Sequence, residues 1–207
     1  LGDKKKQTKI IKDELIEIKE KFSDERRTLI QNHTGEISLE DMIAKEDMVV
    51  TISNTGYIKR NPIALYRSQR RGGKGIVGMG TKEEDFVESL FVASTHDFLL
   101  FFTNKGRCYW LKVYEVPQAG RTARGKSIVN LLRLSQDEET TAILPIREFE
   151  LDKYIVMATK KGVLKKTKLS AYSRPRSSGI IALNLDDGDE LVSVGQTTGN
   201  QEIFIGT

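Results

Sequence analysis

The chain is poor in the residues that staple small folds or bind metals. It has one cysteine in 207 residues, Cys108, so no internal disulfide can form. A reducing cytoplasm suits that usage. His33 and His96 stand alone, with no second His or Cys at ligand spacing, so no zinc motif is present. No metal site and no cofactor are therefore expected in this chain. No apolar run reaches 18 residues, which excludes a membrane-spanning helix. Leu1–Gln7 is basic, but no apolar core of a signal peptide follows it. Leu1 is not a natural start, and the chain is expected to be part of a longer protein.

A further absence is local. Thr51 to Gly80 contains no Asp or Glu but six Lys or Arg. Inside it lies Gln69-Arg70-Arg71-Gly72-Gly73-Lys74-Gly75, three cations and three glycines in seven residues. Glycine lets backbone approach a ligand closely, and successive amides can cradle an anion. Arginine adds a planar fork that matches phosphate oxygens, and lysine a point charge. A solvated basic loop is the competing reading, because charge runs are common on surfaces.

What is present is a repeat. Met48–Ser53, a turn at Asn54-Thr55-Gly56 and Tyr57–Lys59 read as a hairpin. Leu99–Thr103 and Arg107–Leu111 repeat it around Gly106, and Ile155–Thr159 and Val163–Lys166 repeat it around Gly162. A second glycine follows each turn, Gly75, Gly125 and Gly179, at offsets of 19, 19 and 17 residues. Tyr66, Tyr114 and Tyr172 fall between the two glycines, where they are read as packing residues. Val192–Val194 with Thr197-Thr198-Gly199 is expected to open a fourth copy. A period near 50 residues, rich in short strands, predicts an all-β, propeller-like array of four-stranded blades. Residues 31–207 would form it, as three full blades and part of a fourth. Residues 1–30 form a separate helical segment: Ile11, Leu15, Ile18 and Phe22 make one apolar stripe within Thr8–Arg27, suited to a coiled-coil partner.

The charges follow the same period. Thr103–Arg133 holds seven cations and one acid, Glu115, and Thr159–Leu185 holds seven cations and no acid. Together the three basic segments carry 20 of the 33 cations and 1 of the 29 acids, a segregation that a randomly solvated surface would not show. Equivalent loops on equivalent blades would join into one basic stripe for a polyanionic backbone. No base-reading helix, zinc finger or RRM signature accompanies it, so double-stranded DNA would be bound through phosphates and shape rather than base edges.

The seven-residue stretch resembles the signature box of the DNA gyrase A C-terminal domain. Glu46–Arg60 is similar to the first strand pair of that family, and Asp24-Glu25-Arg26-Arg27-Thr28 to the segment leaving its cleavage core. The resemblance implies a β-pinwheel, a disc of blades that exchange strands, preceded here by an N-terminal helix. It implies that duplex DNA wraps the basic perimeter so that an ATP-dependent type II topoisomerase introduces negative supercoils. Implied partners are DNA, the gyrase B protein and the gyrase A cleavage core in an A2B2 enzyme. ATP and magnesium would be bound elsewhere in that enzyme. Expected DNA contacts are Gln69, Arg70, Arg71, Gly72, Gly73, Lys74 and Gly75, with Lys59, Arg60 and Arg67 beside them. Arg121, Arg124, Lys126, Lys165, Lys166, Lys168, Arg174 and Arg176 would support them. Tyr66-Arg67 looks like a strand-cleaving pair, but the tyrosine recurs in every repeat, and no catalytic residue is expected. Two other readings stand beside this one: the related topoisomerase IV protein, which usually carries a degraded box, and a protein-binding propeller.

Overall fold

The computed structural model describes residues 2–25, 27–28, 39–66, 78–80 and 85–204. The chain divides into two compact units, Leu1–Ser38 and Leu39–Thr207. The first contains helix α1 (Lys4–Phe22), which starts before Thr8 and ends before Arg27. Asp3 supplies the start, because its carboxylate accepts from the Lys5 amide at 2.9 Å. Ser23 supplies the stop by turning to extended backbone. The stripe of Ile11, Leu15, Ile18 and Phe22 is exposed.

The second unit is built from strands. They are β1 (Asp47–Ser53), β2 (Tyr57–Pro62), β3 (Val87–Ser94), β4 (Phe98–Thr103), β5 (Arg107–Lys112), β6 (Lys126–Ser127), β7 (Thr140–Ile146), β8 (Tyr154–Thr159), β9 (Leu164–Lys168), β10 (Ile180–Ile181) and β11 (Leu191–Thr197). Three sheets result, ordered β3-β1-β2-β6, β10-β5-β4-β7 and β11-β8-β9. Each is centred on one of the expected hairpins. The turn glycines occupy equivalent places at positive φ: Gly56 at 78°, Gly106 at 69° and Gly162 at 87°. One-turn helices at Ile63–Leu65, Val113–Glu115 and Leu169–Tyr172 follow the hairpins; they bring Tyr66 and Tyr172 to matching positions, whereas Tyr114 falls two residues early and buried Val116 takes the matching place.

The first two sheets are completed by strand exchange. β6 leaves the second repeat to pair with β2, setting Lys126 opposite Ile58. β10 leaves the third to pair with β5, setting Ile180 opposite Cys108. Each exchanged strand is then tied to the turn it reaches: Ile128 donates to the Gly56 carbonyl at 2.8 Å, and Ala182 to that of Gly106 at 2.9 Å. Gly125 and Gly179 make the approach possible. A Cβ on Gly125 would lie 2.3 Å from the Ile58 carbonyl oxygen, and one on Gly179 would lie 2.7 Å from the Tyr109 ring. The strand expected to open a fourth copy belongs elsewhere. Val192–Val194 lies in β11, which pairs antiparallel with β8 and closes the third sheet. The Thr-Thr-Gly sequence imitates a hairpin turn, but the strand before it is already paired.

The core lies between sheets. Alternation along β4 sends Leu99 and Phe101 into a cluster with Val50, Ile52 and Ile58 of the first sheet. Leu100 and Phe102 point the other way, into a cluster with Ile155, Met157 and Leu191 of the third. The middle sheet is thus covered on both faces, which explains the unbroken apolar run Phe98–Phe102. Leu99 through Phe102 are fully buried, and each such side chain contributes about 1.5–3 kcal/mol relative to exposure.

One carboxylate from each acidic run turns inward to cap a hairpin. Asp85 accepts from the Thr55 amide at 3.1 Å. Glu138 accepts from the Thr103 hydroxyl at 2.8 Å, the Tyr109 hydroxyl at 3.0 Å and the Ser135 amide at 2.8 Å. Asp189 accepts from the Lys161 amide at 2.9 Å. Burial alone would raise these three carboxyl groups, but the hydrogen bonds outweigh it and hold them below the ordinary carboxylate value.

Candidate nucleic-acid interface

The exchange strands decide where the basic loops go. The loop carrying Arg121 and Arg124 runs into β6 at the edge of the first sheet, and the loop carrying Arg174 and Arg176 runs into β10 at the edge of the second. β9 itself is the edge of the third sheet and carries Lys165, Lys166 and Lys168. Basic residues are therefore delivered to the same-side edge of each of three successive sheets, on the exchanged strand in the first two and on the second hairpin strand in the third.

Arg121, Lys126, Lys165, Lys166, Lys168, Arg174 and Arg176 are exposed, and Arg124 is half-buried. Among the described residues none of these eight forms an ion pair with a carboxylate. Other cations are paired: Lys112 meets Glu40 at 2.7 Å, Lys153 meets Glu150 at 2.5 Å, Lys160 meets Glu190 at 3.6 Å, and Arg107 and Arg147 meet Glu138 and Asp97 at 3.9 Å. Two of the eight lie over aromatic faces. The Arg124 guanidinium is 5.2 Å from the Tyr57 ring centroid, and the Lys166 ammonium 4.6 Å from that of Tyr154. Such contacts fix direction without neutralising charge. Lys165 donates to the Ala182 carbonyl at 2.6 Å, which anchors it beside the segment after β10.

Two expected contacts are placed differently. Lys59 is fully buried, and burial lowers its pKa. Its ammonium donates to the carbonyls of Gly120, at 3.1 Å, and Arg121. Half-buried Arg60 donates from Nε to Val116 O at 2.7 Å and from Nη2 to Tyr114 O at 3.2 Å. These two cations hold the following repeat rather than facing solvent. The signal lay in β1, where Met48 to Ser53 are all buried: both faces of that strand are covered, so Lys59, opposite Thr51, is covered too. Gln69 to Gly75 and Arg67 lie outside the described residues.

Cys108 and Tyr172 are packed into the core. Burial pushes the Cys108 thiol far above its ordinary value. Tyr172 is packed against Phe102, with ring centroids 5.7 Å apart, and burial raises its pKa to about 12. Among the described residues no cluster of three or more His, Cys, Asp or Glu could hold a metal, and no helix is long and apolar enough to cross a membrane.

Sheets completed by their successors, with unpaired cations along their edges, define a strand-exchanging propeller with a basic rim. The family model for "DNA gyrase C-terminal domain, beta-propeller" matches residues 47–94, 97–147 and 153–198, one match per sheet, and the chain belongs to that family. Among curated relatives, the DNA gyrase A protein of Haemophilus influenzae is 55% identical over 196 residues, covering 95% of this chain and 22% of the relative. That of Clostridium acetobutylicum is 51% identical over 207 residues, covering 100% of this chain and 25% of the relative. The chain thus spans about a quarter of the length of these relatives. A solved C-terminal domain of DNA topoisomerase IV matches with a TM-score of 0.65 at 33% identity, covering 76% of this chain and 48% of that one. A solved DNA gyrase A C-terminal domain matches with a TM-score of 0.57 at 25% identity, covering 73% and 48%.

Proposed function

We propose that this chain is the DNA-wrapping region of a DNA gyrase A protein. Duplex bends along the edges of successive sheets, held by phosphate contacts and without base readout. The observation that carries this reading is the set of eight cations delivered to the sheet edges with, among the described residues, no carboxylate paired to them. Bending 20–30 base pairs by 40–90° costs about 1–6 kcal/mol, which several contacts along an arc can offset. The wrap presents a neighbouring DNA segment to a cleavage core in the rest of the gyrase A protein. Passage of that segment, with ATP and magnesium used elsewhere in a cytoplasmic A2B2 enzyme with gyrase B, then yields negative supercoils. This chain contributes no catalytic group and no cofactor site.

The topoisomerase IV reading has one observation in its favour, the higher TM-score and identity of that solved domain. Relatives about half identical over nearly the whole chain, and the intact Gln69–Gly75 box, favour gyrase. Sealing nicked circles in the presence of increasing amounts of the chain separates the two. A shift in linking number after the protein is removed supports wrapping. An unchanged distribution, at concentrations that bind linear duplex, would overturn it in favour of a substrate-steering tail.

A further inference from the structure

Lys59 is an unusual residue to bury. It has no carboxylate partner among the described residues, only backbone carbonyls. Charge is costly to desolvate unless well hydrogen-bonded, so such a lysine needs a structural reason. Its neighbour on the same strand face, Asn61, is equally buried and donates from Nδ2 to Ala119 O. Three successive carbonyls, of Ala119, Gly120 and Arg121, are therefore drawn toward one face of β2. Gly80 packs so closely on this segment that a Cβ there would lie 2.3 Å from Thr122 O.

In a trans peptide the N–H points opposite to the C=O of the same unit. Drawing these three carbonyls inward turns the amides of Gly120, Arg121 and Thr122 outward. All three residues are exposed, and among the described residues their amides meet no protein acceptor. The guanidinium groups of exposed Arg121 and half-buried Arg124 belong to the same turn. Consecutive outward amides flanked by arginine make a concave anion site.

We propose that Lys59 and Asn61 are positioning residues that shape Gly120–Arg124 into a preformed clip for one phosphate of a duplex backbone. Lys59 never touches the DNA. It works by holding carbonyls away from the phosphate and presenting amides to it. The inference rests on the DNA-wrapping reading, and it adds the ligand atoms and the residues that organise them.

The test uses the whole chain, a short mixed-sequence duplex and amide chemical shifts. Wild-type protein should show downfield shifts of the Gly120, Arg121 and Thr122 amides on adding duplex. Lys59→Met should lose those shifts, while residues around Arg174 and Arg176 still respond. Lys59→Arg, which can still donate to carbonyls, should restore them. In salt titrations Lys59→Met should lower the magnitude of the log affinity against log salt slope by about 0.9, the share of one phosphate. Combining it with Arg121→Gln should lower the slope no further than Arg121→Gln alone. A further drop of about 0.9 in the double variant would mean that Lys59 contacts phosphate itself, and would overturn the proposal. Wild-type protein that binds duplex while the three amides stay unmoved would also overturn it and leave the wrapping reading intact. Wild-type protein that binds no duplex would overturn both.

Discussion

Trp110 donates its indole N–H to the carbonyl of Tyr172 at 2.8 Å, across the boundary between the second and third repeats. Arg60 makes the equivalent bond one repeat earlier, from Nε to the Val116 carbonyl at 2.7 Å. Both donors stand four residues after their turn glycine, and both acceptors, Val116 and Tyr172, stand ten residues after the turn glycine of the next unit. Different side chains thus fill one inter-repeat role. Trp110→Phe should keep the ring and lose the bond, at about 1 kcal/mol. A urea unfolding midpoint checks this, and the salt slope of DNA binding should be unchanged.

Gly179 and Gly162 both have positive φ, but only Gly179 is crowded. Gly162→Ala should cost about 1–2 kcal/mol, from backbone strain alone. Gly179→Ala must also displace the Tyr109 ring, so it should cost about 2 kcal/mol or more and free β10 from β5. Faster hydrogen exchange near Cys108 and Ile180 in the second variant only is the expected signature. Equal behaviour of the two variants would remove the steric argument for the exchange strand.

Acid should unfold the domain through its turn-capping carboxylates. Asp85, Glu138 and Asp189 sit below the ordinary carboxylate value when folded, so in acid the unfolded chain binds more protons than the folded one. Their contribution is complete above the unfolded values, about 4, and is lost as pH falls through the lower folded values. Urea midpoints measured from pH 7 to pH 3 should fall in that window. Glu138→Gln should be less stable at pH 7 and show a flatter acid limb.

Replacing Arg70, Arg71 and Lys74 with alanine removes the charge of the box and leaves the edge cations in place. The salt slope should drop by about 2.7, at 0.9 per phosphate, with linear duplex still bound. The linking-number shift on sealed circles should largely disappear. Retention of the full shift would show that the box does not clamp the wrap.

How much of this was legible in the sequence depends on the length of the signal. The hairpins were, because turn glycines and alternating strands recur locally. Tyr172 was rightly read as packing, because its repetition argued against special chemistry. The exchange strands were not: Lys126–Ser127 and Ile180–Ile181 are two residues each, too short for any period, and pair with residues about 70 positions earlier. Only Gly125 and Gly179 marked them, without saying why. The inward acids were hidden inside runs that look solvated, although one falls 27 to 32 residues after each turn glycine. Lys59 was misplaced because its charge was read without asking what covered the strand opposite.

Strand exchange also sets a schedule for synthesis. β2 ends at Pro62 and its edge partner begins at Lys126, so a ribosome adding roughly 5–20 residues per second leaves that edge open for about 3–13 s. An open edge invites pairing with other nascent chains, and charge on the edge discourages it. β2 waits with Lys59 and Arg60 on its edge. Positive charge that later anchors the second repeat can therefore keep the half-made first sheet apart from other chains until β6 arrives.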